Sequence, residues 1–224
     1  MKKFWKKTSL FLVTAAMTVS APLMAWALEH DIVILHTNDI HCGINDNIGF
    51  DGLAQIKRDA LARTPNVALV DAGDAIQGAP IGKLSRGLAV VRIMNYLGYD
   101  FCIPGNHEFD YGMDRFMELV PLQRAGYYCA NFVYAGNNKQ VLPGYKIMQY
   151  EDTKVAFVGA STPESLTTST PTFFQNEKGQ YIYSFCEDKT GNKLYKQLQK
   201  NVDKARKDGA DYVFIVGHLG MDGT

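Results

Sequence analysis

The chain has 224 residues and a formal net charge of zero, from 23 lysines and arginines and 23 aspartates and glutamates. Hydrophobic residues make up 46% of it and aromatic residues 12%, which excludes an intrinsically disordered chain and suffices for one domain with a real core. Four lysines lie in the first seven residues, which leaves residues 28–224 with 19 basic and 23 acidic residues, a net charge of −4. This mild acidity argues against a binder of nucleic acid polymers, which needs a basic face.

Residues 1–27 have the three parts of a secretory signal peptide. A lysine-rich start precedes an apolar stretch around residues 10–19, and small residues follow, with Ala25 and Ala27 at the positions that a signal peptidase selects. An uncleaved membrane anchor is the alternative, because the uncharged run is long enough to span a bilayer. The cleavage pattern favours removal, so we expect an exported protein that begins near Leu28 and does not stay inserted in a membrane.

Apolar, β-rich runs alternate with helical patterns through residues 28–224, which predicts one layered α/β domain. The predicted strands are Ile32–His36, Val67–Val70, Tyr99–Ile103, Tyr127–Ala130, Val155–Gly159 and Tyr212–Gly217. The predicted helices are Leu53–Arg63, Leu88–Leu97, Met113–Arg124 and, approximately, 193–207. Residues 137–153 are a candidate hairpin, and residues 161–187, rich in serine, threonine and proline, predict a long loop or insertion.

The four cysteines, at positions 42, 102, 129 and 186, could form up to two disulfides in an oxidising compartment, with three possible connectivities. Cys102 and Cys129 lie in or beside apolar, strand-like runs, which favours buried free thiols. The pattern leaves the disulfide state open.

Polar side chains follow four of the predicted strands, at the point where each strand ends. They are, strand by strand, Asp39 and His41, then Asp74, then Asn106, His107 and Asp110, and finally His218. Open α/β sheets place their sites just outside the carboxyl ends of their strands, so these side chains are expected to converge.

The residue types in this group suit a pair of metal ions. Asp39 and His41 are two residues apart and can share one ion, Asp74 can bridge two ions, and Asn106 and His218 offer an amide oxygen and an imidazole. Oxygen and nitrogen ligands without a thiolate suit Zn²⁺, Mn²⁺, Co²⁺ or Mg²⁺. Two ions about 3.5–4 Å apart would clamp a phosphoryl group and lower the pKa of a shared water, which then attacks phosphorus in line.

His107 and Asp110 are typical of an imidazole that a carboxylate positions. Such a pair can stabilise developing charge or protonate the leaving oxygen.

Taken together, five motifs resemble those of the bacterial 5′-nucleotidase / UDP-sugar hydrolase family, a branch of the calcineurin-like metallophosphoesterases. The motifs are HTNDIH (36–41), DAGDAIQG (71–78), GNHEFDYG (105–112), CANF (129–132) and GHLG (217–220). The resemblance implies a layered αββα metallophosphoesterase sandwich with two divalent metal ions, and a bacterial protein in the periplasm, on the cell surface or secreted.

The resemblance also implies a role for each matched residue. Asp39, His41 and Asp74 would hold one ion, and Asp74, Asn106 and His218 the other. His107 and Asp110 take the positions of the catalytic dyad, and Asn106 and His107 those of substrate-binding residues. The implied reaction is hydrolysis of a nucleoside monophosphate to nucleoside and phosphate. Alternatives within the class are a 2′,3′-cyclic-nucleotide phosphodiesterase and a UDP-sugar hydrolase. A separate possibility is hydrolysis of a sulfur ester on the same scaffold.

The sequence departs from the family pattern after His218. The family completes its site there with a Gly-His-x-His motif, which the sequence lacks, and adds a C-terminal substrate-binding domain. We therefore expect an incomplete sandwich over residues 28–224, with three ligands for each ion instead of four and loosely held metal. The alternative from another class is a catalytically inactive, truncated fragment.

Overall fold

The computed structural model of the protein describes residues 31–220, so the predicted signal peptide lies outside the described residues. The strands are β1 Val33–Thr37, β2 Val67–Asp71, β3 Phe101–Cys102, β4 Val133–Tyr134, β5 Tyr145–Tyr150, β6 Thr153–Ser161, β7 Tyr183–Ser184 and β8 Tyr212–His218. The α-helices are α1 Gly49–Leu61, α2 Pro80–Ser85, α3 Leu88–Leu97, α4 Met113–Leu119, α5 Ser165–Thr168 and α6 Asn192–Lys207. Short 3-10 turns cover His107–Phe109, Val120–Leu122 and Pro171–Phe174.

Two three-stranded sheets form the centre of the fold. Strands β1, β2 and β3 are parallel neighbours in the first sheet, with Thr37 opposite Asp71 and Asp71 opposite Cys102. In the second sheet β6 lies between β5, which is antiparallel, and β8, which is parallel, with Ser161 opposite His218. These registers bring the carboxyl ends of the parallel strands level within each sheet.

The sheets pack face to face, and helices cover their outer faces. Val70 and Phe101 of the first sheet share a core with Phe157 and Val216 of the second, and the rings of Phe101 and Phe157 are 5.8 Å apart. Outside the first sheet, apolar residues of α1 and α3 pack in the same cluster as β2. Outside the second, two leucines of α6 pack against β6. The layered α/β domain predicted from the sequence is confirmed, with the αββα order of layers that the resemblance implies.

Tyr127–Ala130 was predicted as a strand and is not one. Its backbone divides its hydrogen bonds between the two sheets: the Tyr128 N–H donates to Cys102, and the Ala130 N–H donates to Gly159. A segment that crosses between two sheets in this way forms only an isolated bridge, at Tyr127. The apolar sequence of Tyr127–Ala130 correctly predicted that the segment is largely buried, but not how its backbone is hydrogen-bonded.

Other boundaries shift for local reasons. The predicted helix Met113–Arg124 is α-helical only to Leu119 and continues as a 3-10 turn, because Pro121 has no N–H to donate. The hairpin is formed by β5 and β6 around Glu151, slightly later than the candidate range. The predicted insertion contains a short helix, a 3-10 turn and β7, which pairs with β4.

All four cysteines are free, and Cys102 and Cys129 are buried, as the free-thiol interpretation predicts for these two; Cys42 is buried as well. Within residues 31–220, no helix is both long and apolar enough to cross a membrane.

Candidate metal centre

The candidate residues converge where the parallel strands of both sheets end. Asp39 and His41 follow β1, Asp74 follows β2, the turn that begins at Asn106 follows β3, and His218 ends β8. The expected clustering of these side chains is therefore present.

Left-handed backbone conformations shape the first two loops of the site. Asp39, His41 and Asp74 have φ of 53°, 46° and 58°, a left-handed region that is uncommon for residues other than glycine. Hydrogen bonds between the loops hold them there: the Asp39 N–H donates to Gly73 at 3.0 Å and the His41 N–H to Asp74 at 2.9 Å. A Cβ on Gly73, at φ 93°, would overlap the backbone of Gly105, so this close approach requires glycine.

Asp74 lies at the centre of the cluster, with its side chain almost fully buried. Its Oδ2 is 3.2 Å from His218 Nε2 and 3.8 Å from His41 Nε2. Its Oδ1 accepts the backbone N–H of His107 at 2.8 Å. Burial disfavours the charged carboxylate, but the hydrogen bonds from His218 and His107 prevail and lower the pKa of Asp74.

The imidazoles of the two candidate ligands His41 and His218 are held in an orientation that is common in metal sites. His218 Nδ1 lies 2.9 Å from the carbonyl oxygen of Ala72, and His41 Nδ1 lies 3.2 Å from that of Gln77. A carbonyl at Nδ1 selects the tautomer whose Nε2 carries the free lone pair, and metal-ligating histidines are commonly fixed in this way. His218 Nε2 is also 3.2 Å from Asn106 Oδ1, which brings these two predicted ligands together.

Two sets of side chains could each hold one ion. Asp39, Asp74 and His218 form one set and His41, Asp74 and His107 the other, with ligand atoms within 4.8 Å of one another in each. Asp74 belongs to both sets, as a bridging ligand would. The division differs from the one that the resemblance implies, because Asp39 groups with His218 and His107 joins His41.

His107 and Asp110 form the expected dyad. His107 Nδ1 is 2.6 Å from Asp110 Oδ2, and Ser169 donates to Asp110 Oδ1 at 3.2 Å. Burial works against a charged imidazole, but the hydrogen bond to Asp110 and the charge of Asp74 prevail and raise the pKa of His107. A cleft of about 600 Å³ borders the dyad, and it is lined by Gln77, Gly78, Lys83, Asp110, Tyr111 and residues 168–170.

Two buried carboxylates beside the site were not identified from the sequence. Asp71 Oδ1 accepts from the Thr37 hydroxyl at 2.8 Å, and Glu108 accepts only backbone N–H groups. Burial is the main cause that raises the pKa of both; the charge of Glu108 adds to it for Asp71, and that of Asp74 for Glu108. Both lie within the motifs DAGDAIQG and GNHEFDYG, but the residue types that metal ligands and dyads require directed attention to Asp74, Asn106, His107 and Asp110 instead.

The charge of the site fits divalent cations. Five carboxylates surround it, from Asp39, Asp71, Asp74, Glu108 and Asp110. Within residues 31–220, no lysine or arginine forms an ion pair with any of them. Buried charges in proteins are commonly paired with an opposite charge or coordinate a metal ion, and divalent cations would supply that charge here.

We predict that His218 keeps its proton to unusually high pH when metal is removed. The hydrogen bond to Asp74 raises the pKa of His218 to about 9. The stability that this pair contributes is therefore complete below the ordinary imidazole pKa of about 6.5 and is lost as pH rises through the folded value. An NMR titration in chelator measures the midpoint, and Asp74→Asn should move it downward. A wild-type midpoint near the ordinary value would contradict this arrangement.

Residues 32–224 match the family described as calcineurin-like phosphoesterase. A snake venom 5′-nucleotidase of Gloydius brevicauda is 29% identical over 231 residues, which cover 95% of this chain and 37% of that protein. A solved 5′-nucleotidase precursor of Thermus thermophilus has a TM-score of 0.70 at 25% identity, over 84% of this chain and 37% of that one. The sulfate thiohydrolase SoxB of the same organism has a TM-score of 0.65 at 30% identity, over 77% and 30%.

This chain thus spans a little over a third of the length of the curated relatives that it matches. The family match covers the strands, the loops and the histidines that form the centre described above. The chain belongs to the calcineurin-like phosphoesterase family.

Proposed function

We propose that the protein is a phosphoester hydrolase of the 5′-nucleotidase type, which uses two divalent ions to cleave nucleoside monophosphates into nucleoside and phosphate. The observation that carries the proposal is the buried Asp74 carboxylate, which belongs to both candidate ligand sets. The 5′-nucleotidases among its relatives favour a nucleotide as substrate.

Asp39, His41, Asp74, Asn106 and His218 would hold the ions, identified by chemistry as Zn²⁺, Mn²⁺, Co²⁺ or Mg²⁺. When bound, the ions would neutralise the phosphoryl oxygens and make a water nucleophile available near neutral pH. The attraction between these ions and the phosphate matters here because lysine and arginine contribute little positive charge to the cleft. Lys83, on the rim of the cleft, is the one lysine or arginine among the described residues that line it.

The chain's own residues would supply positioning and a proton. Asn106 and His107 would contact the phosphoryl group, since both lie at the start of the turn that faces Asp74. The Asp110 carboxylate holds His107 Nδ1, which leaves Nε2 to donate a proton to the leaving oxygen of the nucleoside. Ser169, by its hydrogen bond to Asp110, fixes that carboxylate from the opposite side.

We also propose that residues 1–27 are a cleaved leader and that the metallophosphoesterase domain occupies residues 28–224. The lysine-rich and apolar segments and the alanines before Leu28 support export to the periplasm, the cell surface or the medium. N-terminal sequencing of exported protein tests the cleavage after Ala27.

A substrate panel tests the proposed reaction. Purified protein, freed of metal by chelator and then given Mn²⁺, Zn²⁺, Co²⁺ or Mg²⁺, is assayed with AMP, 2′,3′-cyclic AMP, UDP-glucose and S-sulfocysteine. We expect fastest turnover with AMP and none in chelator. A preference for one of the other three would replace the nucleotidase assignment by the corresponding alternative. No turnover with any metal would favour the inactive fragment.

A further inference from the structure

We propose that Glu108 is a positioning residue that fixes the two metal-binding loops, residues 71–78 and 104–108, as one unit and thereby sets the affinity for metal. The inference rests on the proposed function of the same site. The hydrogen bonds of the Glu108 carboxylate go to backbone N–H groups and to none of the candidate ligand side chains.

The Glu108 carboxylate is shared between the two loops. Its Oε2 accepts the backbone N–H of Asp74 at 2.7 Å and that of Gly105 at 2.6 Å. Its Oε1 accepts the N–H of Ala75 at 2.8 Å and that of Ile76 at 3.4 Å. The side chain is 1% exposed, so water does not compete for these bonds. Each oxygen faces N–H donors alone, an arrangement that only a carboxylate can satisfy on both sides.

These bonds act on the residues that carry the site. Asp74 has φ 58°, a strained conformation that the surrounding contacts must maintain, and Glu108 binds its N–H directly. On the other loop, Gly105 packs so closely on Asp74 that a Cβ at this position would overlap the Asp74 carboxylate. A shift of either loop would therefore move the carboxylate shared by the two ligand sets.

A role in packing alone does not explain a charged residue here. A buried carboxylate without a cationic partner costs several kcal/mol, which a side chain that only filled space would not incur, and its hydrogen bonds to the backbone of both loops are what offset this cost. Glu118, by contrast, is exposed and pairs with Arg115 at 2.7 Å. Next to two cation sites, the charge of Glu108 is favourable, because it adds to the attraction for the ions.

The test compares Glu108→Gln with Glu118→Gln as the matched control. In Glu108→Gln an amide NH₂ group replaces one of the two carboxylate oxygens. This group would face two backbone N–H donors and could not accept a hydrogen bond from either, so the loops would lose one of the two oxygen atoms that connect them. Residues that orient metal ligands without binding the metal typically contribute about 10–100-fold to metal affinity. We expect Glu108→Gln to lower the affinity for Mn²⁺ by a factor of that size, measured by calorimetry on the metal-free chain. Glu118→Gln should leave the affinity unchanged. A Glu108→Gln variant that melts at a lower temperature but binds Mn²⁺ like wild type would overturn the proposal.

A second measurement, on the wild type, covers the case in which Glu108→Gln does not fold. Hydrogen exchange should show the amides of Asp74, Ala75 and Gly105 protected to a similar degree, and Mn²⁺ should slow their exchange by a similar factor. Unequal protection, or a response to Mn²⁺ in one loop only, would also overturn the proposal. Wild-type protein that binds no Mn²⁺ at all would instead contradict the proposed function.

Discussion

Replacing Asp74 with asparagine is expected to lower kcat/KM for a nucleoside 5′-monophosphate at least about a thousandfold. The substitution removes the negative charge that the two candidate ligand sets share. Ions that stabilise a phosphoryl transition state contribute several kcal/mol, and each 1.4 kcal/mol corresponds to about a tenfold change in rate. The fold should persist, because the asparagine carbonyl can still accept the His107 N–H, as Asp74 Oδ1 does at 2.8 Å.

Asp114→Asn is the matched control, since Asp114 is exposed on α4 and undergoes the same chemical change. Phosphate release and bound metal are measured for both variants, with circular dichroism to verify folding. Asp114→Asn should behave as wild type. Near wild-type turnover in a folded Asp74→Asn variant would show that the shared carboxylate is not part of the reaction.

Replacing His107 with glutamine is expected to lower kcat by about 10²–10⁴, the contribution of a positioned general acid. The loss should be larger for AMP than for 4-nitrophenyl phosphate. The nucleoside alkoxide needs a proton to leave, whereas 4-nitrophenolate does not. Metal content separates two roles of this residue, because His107 also belongs to one candidate ligand set. We expect the variant to keep its metal, as a member of the dyad would.

His36→Gln serves as the control, because His36 lies exposed on β1 and its side chain is not part of the cluster. It should leave kcat and metal content unchanged. If His107→Gln loses an ion, or slows both substrates equally, His107 acts as a ligand and the proton must come from another group.

The position of the site could be predicted because polar residues directly follow apolar strand segments. Asp74 and His218 were identified in this way, and the registers of β2 with β1 and of β8 with β6 bring these strand ends level. The prediction of a strand at Tyr127–Ala130 was wrong because an apolar run indicates that a segment is buried, not which strand its backbone pairs with. That partner depends on where the two sheets lie relative to each other.

The roles of Glu108 and Ser169, which hold site residues in place, could not be predicted from the sequence for a similar reason. Glu108 resembles any acidic residue in a turn until the fold directs the N–H groups of two loops at it. Ser169 lies 59 residues from Asp110, within a segment whose composition indicated only a loop. Side chains that bind metal or substrate have characteristic types and spacing, while those that hold them in place are defined by three-dimensional contacts alone.

The net negative charge of residues 28–224 is explained in part by the site. The mildly acidic body of the chain reflects in part a concentration of carboxylates at one site, including Asp71 and Glu108, which are both 1% exposed. Carboxylates that no cation compensates repel an anionic substrate, so bound metal ions would favour its approach. The charge of the site thus agrees with the metal dependence of the family.

The number of ions that restores activity tests this account most directly. Metal-free protein at a concentration well above the metal dissociation constant is titrated with Mn²⁺, while phosphate release from AMP and bound metal are measured on the same samples. We expect no activity in chelator and full activity at two bound ions for each chain. Full activity at one ion, or activity that chelation leaves unchanged, would contradict a centre in which Asp74 bridges two metals.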